Sequence, residues 1–247
     1  MKRPFLIILL SLYLATISRT DPCFASTHTS LPRGKTETDP QQTNQPRDNS
    51  AKGGEPFWRK ASDQYELGRT SKNARERSAH YSRAEEFAQQ AIKADPQGDE
   101  GYKWLAIALG AQAEDASVRT QIELSRRIKE NIEKALVLDP NDDISLLVLS
   151  RWHYKVASLA PWTKALVRLV YGGLPYASME KAEELLLRAI AKKDRIAHRY
   201  SLAKVYYRMG RREDALHQLR LALTLPVTFP DEADDLEKAR RKLNSWK

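Results

Sequence analysis

Leu202–Leu223 reads LAKVYYRMGRREDALHQLRLAL. Leu202, Ala203 and Tyr206 precede Gly210. Ala215, Leu219 and Ala222 follow it, and Pro226 lies just beyond. Apolar residues recur every three or four positions on both sides of the glycine, the period of two amphipathic helices joined by a tight turn. The alanines on the second helix let its partner approach closely, and proline ends it because proline cannot continue the hydrogen-bond ladder.

The same second-helix spacing occurs three more times upstream. Its members are Ala84, Ala88, Ala91 and Pro96; Ile128, Ile132, Ala135 and Pro140; and Ala182, Leu186 and Ala189, with Asp194 in the proline position. The matching first-helix positions hold Leu67-Gly68, then Trp104 with Ile107-Ala108, then Leu146 with Leu149-Ser150. A helix pair repeated at this spacing is the tetratricopeptide repeat. The repeats are irregular: between helix halves the first three carry four, eight and twenty extra residues. The expected fold is therefore all-α, a right-handed helical solenoid of about four irregular tetratricopeptide-like repeats over residues 57–247. An amphipathic stretch from Pro230 to Trp246 reads as the capping helix that a solenoid needs for solubility.

The sequence ahead of the repeats is different in kind. Lys2 and Arg3 precede an apolar run of 13 residues, Phe5–Ile17, and small residues stand at Cys23 and Ala25. The run spans about 20 Å as a helix, against roughly 30 Å for a bilayer core. Residues 1–25 read as an export signal cleaved after Ala25, for a periplasmic or secreted product. An uncleaved N-terminal membrane anchor is the alternative. Residues 26–56 are rich in Thr, Gln, Pro and Asn, with balanced charge and almost no aliphatic side chains, so they read as a disordered polar linker. The chain has 41 Lys+Arg against 32 Asp+Glu. Its one cysteine, Cys23, lies in the export segment, which excludes a disulfide framework and a cysteine-rich zinc site.

The second and third repeats resemble the regulator of microtubule dynamics family. The likeness rests on Gly101-Tyr102-Lys103-Trp104-Leu105-Ala106-Ile107, on Ile128-Lys129-Glu130-Asn131-Ile132-Glu133-Lys134-Ala135, on Arg151-Trp152-His153-Tyr154, on Pro161-Trp162 and on Met179-Glu180-Lys181-Ala182. The irregular insertion lengths agree with it, and it covers roughly residues 57–247. Some members of that family are associated with microtubules, and one with membrane contact sites and phospholipid binding. The resemblance thus implies a helical repeat fold and raises lipid as a ligand class. An exported chain meets no cytosolic microtubule, so that partner is not expected here. An uncleaved anchor would give the membrane-contact analogy more weight.

First helices of such repeats line the concave face. Setting the repeats in register puts Tyr65, Arg69 and Lys72 there from repeat one, and Tyr102, Leu105, Leu109 and Gln112 from repeat two. Repeat three adds Leu147, Arg151, Tyr154 and Lys155, and repeat four Tyr200, Lys204, Tyr207 and Arg208. This set is aromatic, apolar and basic, without a carboxylate. It suits a ligand with an apolar part and a negative part: an acidic, apolar peptide segment of a protein partner, or an anionic phospholipid. A packing role for the tyrosines and a solvated one for the cations is the plainer alternative.

The twenty-residue insertion holds PWTKALVRLVYGGLPYAS, residues 161–178. Trp162, Leu166, Leu169 and Tyr171 alternate with Lys164 and Arg168. Such a segment reads either as a lid over the groove or as a short basic helix at a membrane surface. Catalysis is not indicated, no cofactor is expected, and the five histidines lack metal-ligand spacing. Basic and acidic residues interleave along the helices, which argues against nucleic acid as a partner. Adjacent acids such as Glu85-Glu86, Glu183-Glu184 and Asp234-Asp235 point apart on a helix and read as solvated charges.

Overall fold

A computed structural model describes residues 55–228 and 232–246. The expected export signal, nearly all of the expected linker and Pro230 lie outside the described residues. Among the described residues are ten α-helices: α1 Phe57–Thr70, α2 Ala74–Ala94, α3 Asp99–Gln112, α4 Val118–Leu138, α5 Asp143–Ala157, α6 Pro161–Tyr171, α7 Met179–Lys192, α8 Ile196–Arg208, α9 Arg212–Ala222 and α10 Glu232–Ser245.

The helix ends follow from local chemistry. Asn73, Ser117, Asp142 and Ser178 each accept a backbone N–H of the first turn of α2, α4, α5 and α7. These four caps satisfy donors that the helix cannot. Pro161 opens α6, and Gly172 closes it in the left-handed conformation at φ 74°. Gly210, at φ 80°, turns α8 into α9 while the Arg211 N–H donates to the Tyr206 carbonyl at 2.9 Å.

The helices pack as four pairs: α1 with α2, α3 with α4, α5 with α7, and α8 with α9. Each pair leans on the next through its second helix. The insertions have two fates. In repeats one and two they lengthen the second helix, so that α2 and α4 run to 21 residues. In repeat three the insertion forms a helix of its own, α6, between the paired helices.

The repeat positions form the core. Ala88, Ile128, Ile132, Ala135 and Ala189 belong to one buried cluster, and Ala182, Leu186, Ala215, Leu219 and Ala222 to a second. Gly68 permits the closest approach in α1, since a Cβ there would stand 2.6 Å from the Tyr81 ring. Charged residues also join repeats. Lys103 is buried among Glu100 at 2.7 Å, Asp142 at 3.3 Å and Asp99 at 3.7 Å. Arg195 binds Asp143 at the next junction.

Candidate functional site

Helices α5 and α8 bring together two of the cations expected on the inner face, Arg151 and Lys204. A single turn of α5 presents Arg151 and Tyr154, and α8 presents Tyr200 and Lys204 beside them. The Lys204 ammonium stands 4.9 Å from the Tyr154 ring centre and 5.6 Å from that of Tyr200, so two aromatic faces hold it. Burial, then repulsion from Arg151 and Lys155, pushes its pKa down to about 8, with Asp235 pulling the other way. Burial and the Asp235 carboxylate push the Tyr200 hydroxyl up to about 12. Burial likewise raises Tyr154.

The inner face is partly covered, and its cover is α10. Arg151 donates to Asp235 at 3.1 Å and to the Ser201 hydroxyl at 3.3 Å. Arg69, on α1, donates to Asp234 at 3.4 Å and to Glu66 at 2.9 Å. Tyr207 stacks on Trp246, with ring centres 3.9 Å apart and planes inclined by 10°. Arg212 donates to the Trp246 carbonyl. The last helix and Trp246 just beyond it thus answer Arg69, Arg151 and Tyr207 with an acid, an acid and an aromatic ring. Between α5, α7 and α8 lies a crevice of about 10 Å³, bordered by Arg151, Tyr154 and Lys204.

Other expected residues sit elsewhere. Leu105 and Leu109 are core residues, 6% and 0% exposed. Helix α3 touches α1, α2, α4 and α5 and is apolar round most of its circumference, so it has little free face. Leu147 is core for the same kind of reason. Tyr65 packs on Tyr81 and Trp104, and the Tyr102 hydroxyl donates to the Pro96 carbonyl. Gln112 is bound to Glu85 and to the Tyr81 carbonyl. Arg208 donates to the Ser158 carbonyl, while Lys72 and Lys155 are exposed.

Helix α6 does not close over the inner face with its apolar side. Thr163 and Val167 are buried, whereas Trp162, Leu169 and Val170 are more than half exposed and Leu166 is partly so. Lys164 donates to the Ala157 carbonyl, and Arg126 donates to the carbonyls of Tyr171 and Gly173. Arg168 is exposed. The apolar stripe of α6 therefore faces outward, and the lid reading is corrected on this point.

One acid of each adjacent pair read as solvated is instead engaged, while Glu86, Glu184 and Asp234 stay largely exposed. Asp235 is buried against Arg151, Glu183 binds Arg211 at 2.7 Å, and Glu85 binds Arg127 at 2.6 Å. Asp234 and Asp235 do point apart, toward two different arginines. Their adjacency was visible in the sequence, but their partners lie 165 and 84 positions away.

A second groove, of about 550 Å³, opens between α4, α5 and α7. Lys129 and Glu133 pair along α4 on one wall, and Lys181 and Glu184 along α7 on the other, so cations and acids are mixed in its lining. His153 lies at its floor, edge-on to Trp152, and accepts the Ser178 N–H at Nδ1. Among the described residues no cluster of His, Cys, Asp or Glu is placed to hold a metal, and no helix is long and apolar enough to cross a membrane.

Comparison with known proteins places these features. The family profile described as Regulator of microtubule dynamics protein 1-3 matches residues 37–247. Regulator of microtubule dynamics protein 3 of Xenopus laevis is 31% identical over 178 residues, covering 71% of this chain and 38% of the relative. Regulator of microtubule dynamics protein 1 of Caenorhabditis elegans is 24% identical over 188 residues, covering 76% and 83%. The chain spans about two fifths of the length of the vertebrate protein 3 relatives. Among solved structures, a thermophilic TPR protein of Thermus thermophilus superposes with a TM-score of 0.52 at 22% identity, covering 80% of this chain and 84% of that one. At that identity the likeness is one of fold.

Proposed function

The chain belongs to the Regulator of microtubule dynamics protein 1-3 family, and from that premise we propose that it is a non-enzymatic interaction scaffold whose inner face receives an acidic, partly apolar segment of another protein. One observation carries the reading. Arg151, Lys204, Tyr154 and Tyr200 converge from two repeats on one spot, and the nearest carboxylate to Lys204 and Arg151 comes from a separate helix. Guanidinium and ammonium groups favour carboxylates, and the tyrosines supply contact area.

A screen of acidic, apolar helical peptides by fluorescence polarisation tests it. Arg151→Glu with Lys204→Glu should weaken every binder at least tenfold. An unchanged affinity in a folded double variant would sink the reading. A carrier of acyl chains would need a sheltered, apolar cavity of several hundred Å³; the crevice at this site holds about 10 Å³, and the groove of about 550 Å³ between α4, α5 and α7 is lined mainly by charged and polar side chains. An organic extract of the purified chain should accordingly be free of stoichiometric phospholipid.

The outward stripe of α6 supports a second reading, contact with an anionic membrane surface. Trp162, Leu169 and Val170 are exposed beside Lys164 and Arg168, the composition of an interfacial helix. Leu169→Glu should abolish sedimentation with anionic vesicles if α6 docks there. The N-terminal reading adds a location outside the cytosol, which leaves microtubules out as a partner. N-terminal sequencing of the secreted product would test cleavage after Ala25.

A further inference from the structure

We propose that α10 is a resident ligand of the inner face, and that an outside partner binds by displacing it with an acidic amphipathic helix of the same chemistry. The inference rests on the proposed scaffold reading and names both the form of its partner and the device that regulates access.

The inner face calls for a ligand with carboxylates and an apolar, aromatic part. Helix α10 has that composition and is in place. Asp234 and Asp235 in its first turn reach Arg69 on α1 and Arg151 on α5. Ala239 is fully buried, and Leu236 and Leu243 pack against the C-terminal cluster. Trp246 stacks on Tyr207 and is itself 9% exposed. Measured from Asp235, the contacts fall one, four, eight and eleven positions on, a single helical stripe. A partner helix with an acid, then a leucine or alanine stripe, then an aromatic residue would reproduce them.

The anchorage of α10 is lighter than that of the paired helices. It packs on α8 and α9, and it meets α1 and α5 through charged side chains. The Arg69–Asp234 pair is mostly exposed on its acid side, and exposed pairs hold weakly. Lys204 lies under the cover with a depressed pKa, so it is under-compensated while α10 is bound. A partner bringing more negative charge would satisfy it better. A tethered helix nonetheless competes at an effective concentration in the millimolar range, so it masks the face from weak partners.

The test uses the full chain and an isotopically heavy, fluorescent peptide of residues 232–246. The chain is taken as wild type, as Asp235→Asn with Trp246→Ala, and as that variant with Arg151→Glu added. The expected result is at least tenfold tighter peptide binding to the double variant than to wild type, abolished by Arg151→Glu. Equal binding to wild type and double variant, lost with Arg151→Glu, overturns the displacement while leaving the scaffold reading intact. Undetectable binding, or binding indifferent to Arg151→Glu, overturns both and leaves α10 a fixed cap. If the double variant does not fold, amide exchange of wild type decides: excess heavy peptide should speed exchange in α10 at least tenfold and leave α8 unchanged. Unchanged exchange in α10 overturns the proposal.

Discussion

Lys204 is a buried cation held between two tyrosine rings. Burial and two neighbouring cations lower its pKa to about 8, so the folded chain resists holding a charge that the unfolded chain accepts freely. Lys204→Met keeps the length and removes the charge. It should raise the thermal midpoint by a few degrees, the shift that about 1 kcal/mol makes in a domain of this size, and weaken acidic peptides. A lower midpoint would mean that the stacked ammonium is structural. His198 follows the same rule at lower pH. It is fully buried, contacts the Lys193 carbonyl through Nδ1 at 2.8 Å, and stands 3.5 Å from Asp143. Burial lowers its pKa, and burial and then Lys129 lower that of His153. The unfolded chain therefore binds more protons below about pH 6.5. Stability should be full above that pH and fall as pH drops through it. A urea midpoint lower at pH 5.5 than at pH 7.5, with a smaller fall in His198→Gln, is the expected outcome.

Elements differ in how much of their behaviour is local. The cap of α2 is a local device: Asn73 accepts from the Arg75 and Glu76 N–H groups at 2.9 and 3.4 Å. Asn73→Ala should lower stability by about 1 kcal/mol, read as a shift in denaturant midpoint. Leu169 on α6 is 84% exposed and belongs to no core cluster. Leu169→Glu should therefore leave the midpoint within about 0.5 kcal/mol of wild type, so a loss of vesicle binding in that variant would be a surface effect. A large destabilisation would instead mean that α6 is packed in solution. The same helix marks a limit of sequence reading. Its apolar spacing was plain from residues 161–171, but periodicity states only that one face is apolar. Which face meets the protein is settled by the neighbours, here by Thr163 and Val167 finding the buried side.

At the scale of the whole molecule, α10 ties the ends of the solenoid together through Arg69–Asp234, which joins the first helix to the last. Because that pair is exposed, Asp234→Asn should change stability by less than about 1 kcal/mol, measured by denaturation at low and high salt. A larger loss would make the pair a structural clasp.

Four copies of one alanine spacing, with prolines and Gly210 between helices, determined the all-α repeat fold, because close helix pairing and helix termination act within a few residues. The same local rules located the cations and tyrosines of α5 and α8. The sequence did not determine that α3 is packed on nearly every side, so that Leu105 and Leu109 are core. Nor did it determine that Asp234 and Asp235 would answer Arg69 and Arg151. Those outcomes depend on how far the successive helix pairs rotate and where the last helix lands. Small packing terms summed over the repeats set that geometry, and no short stretch of the chain contains it.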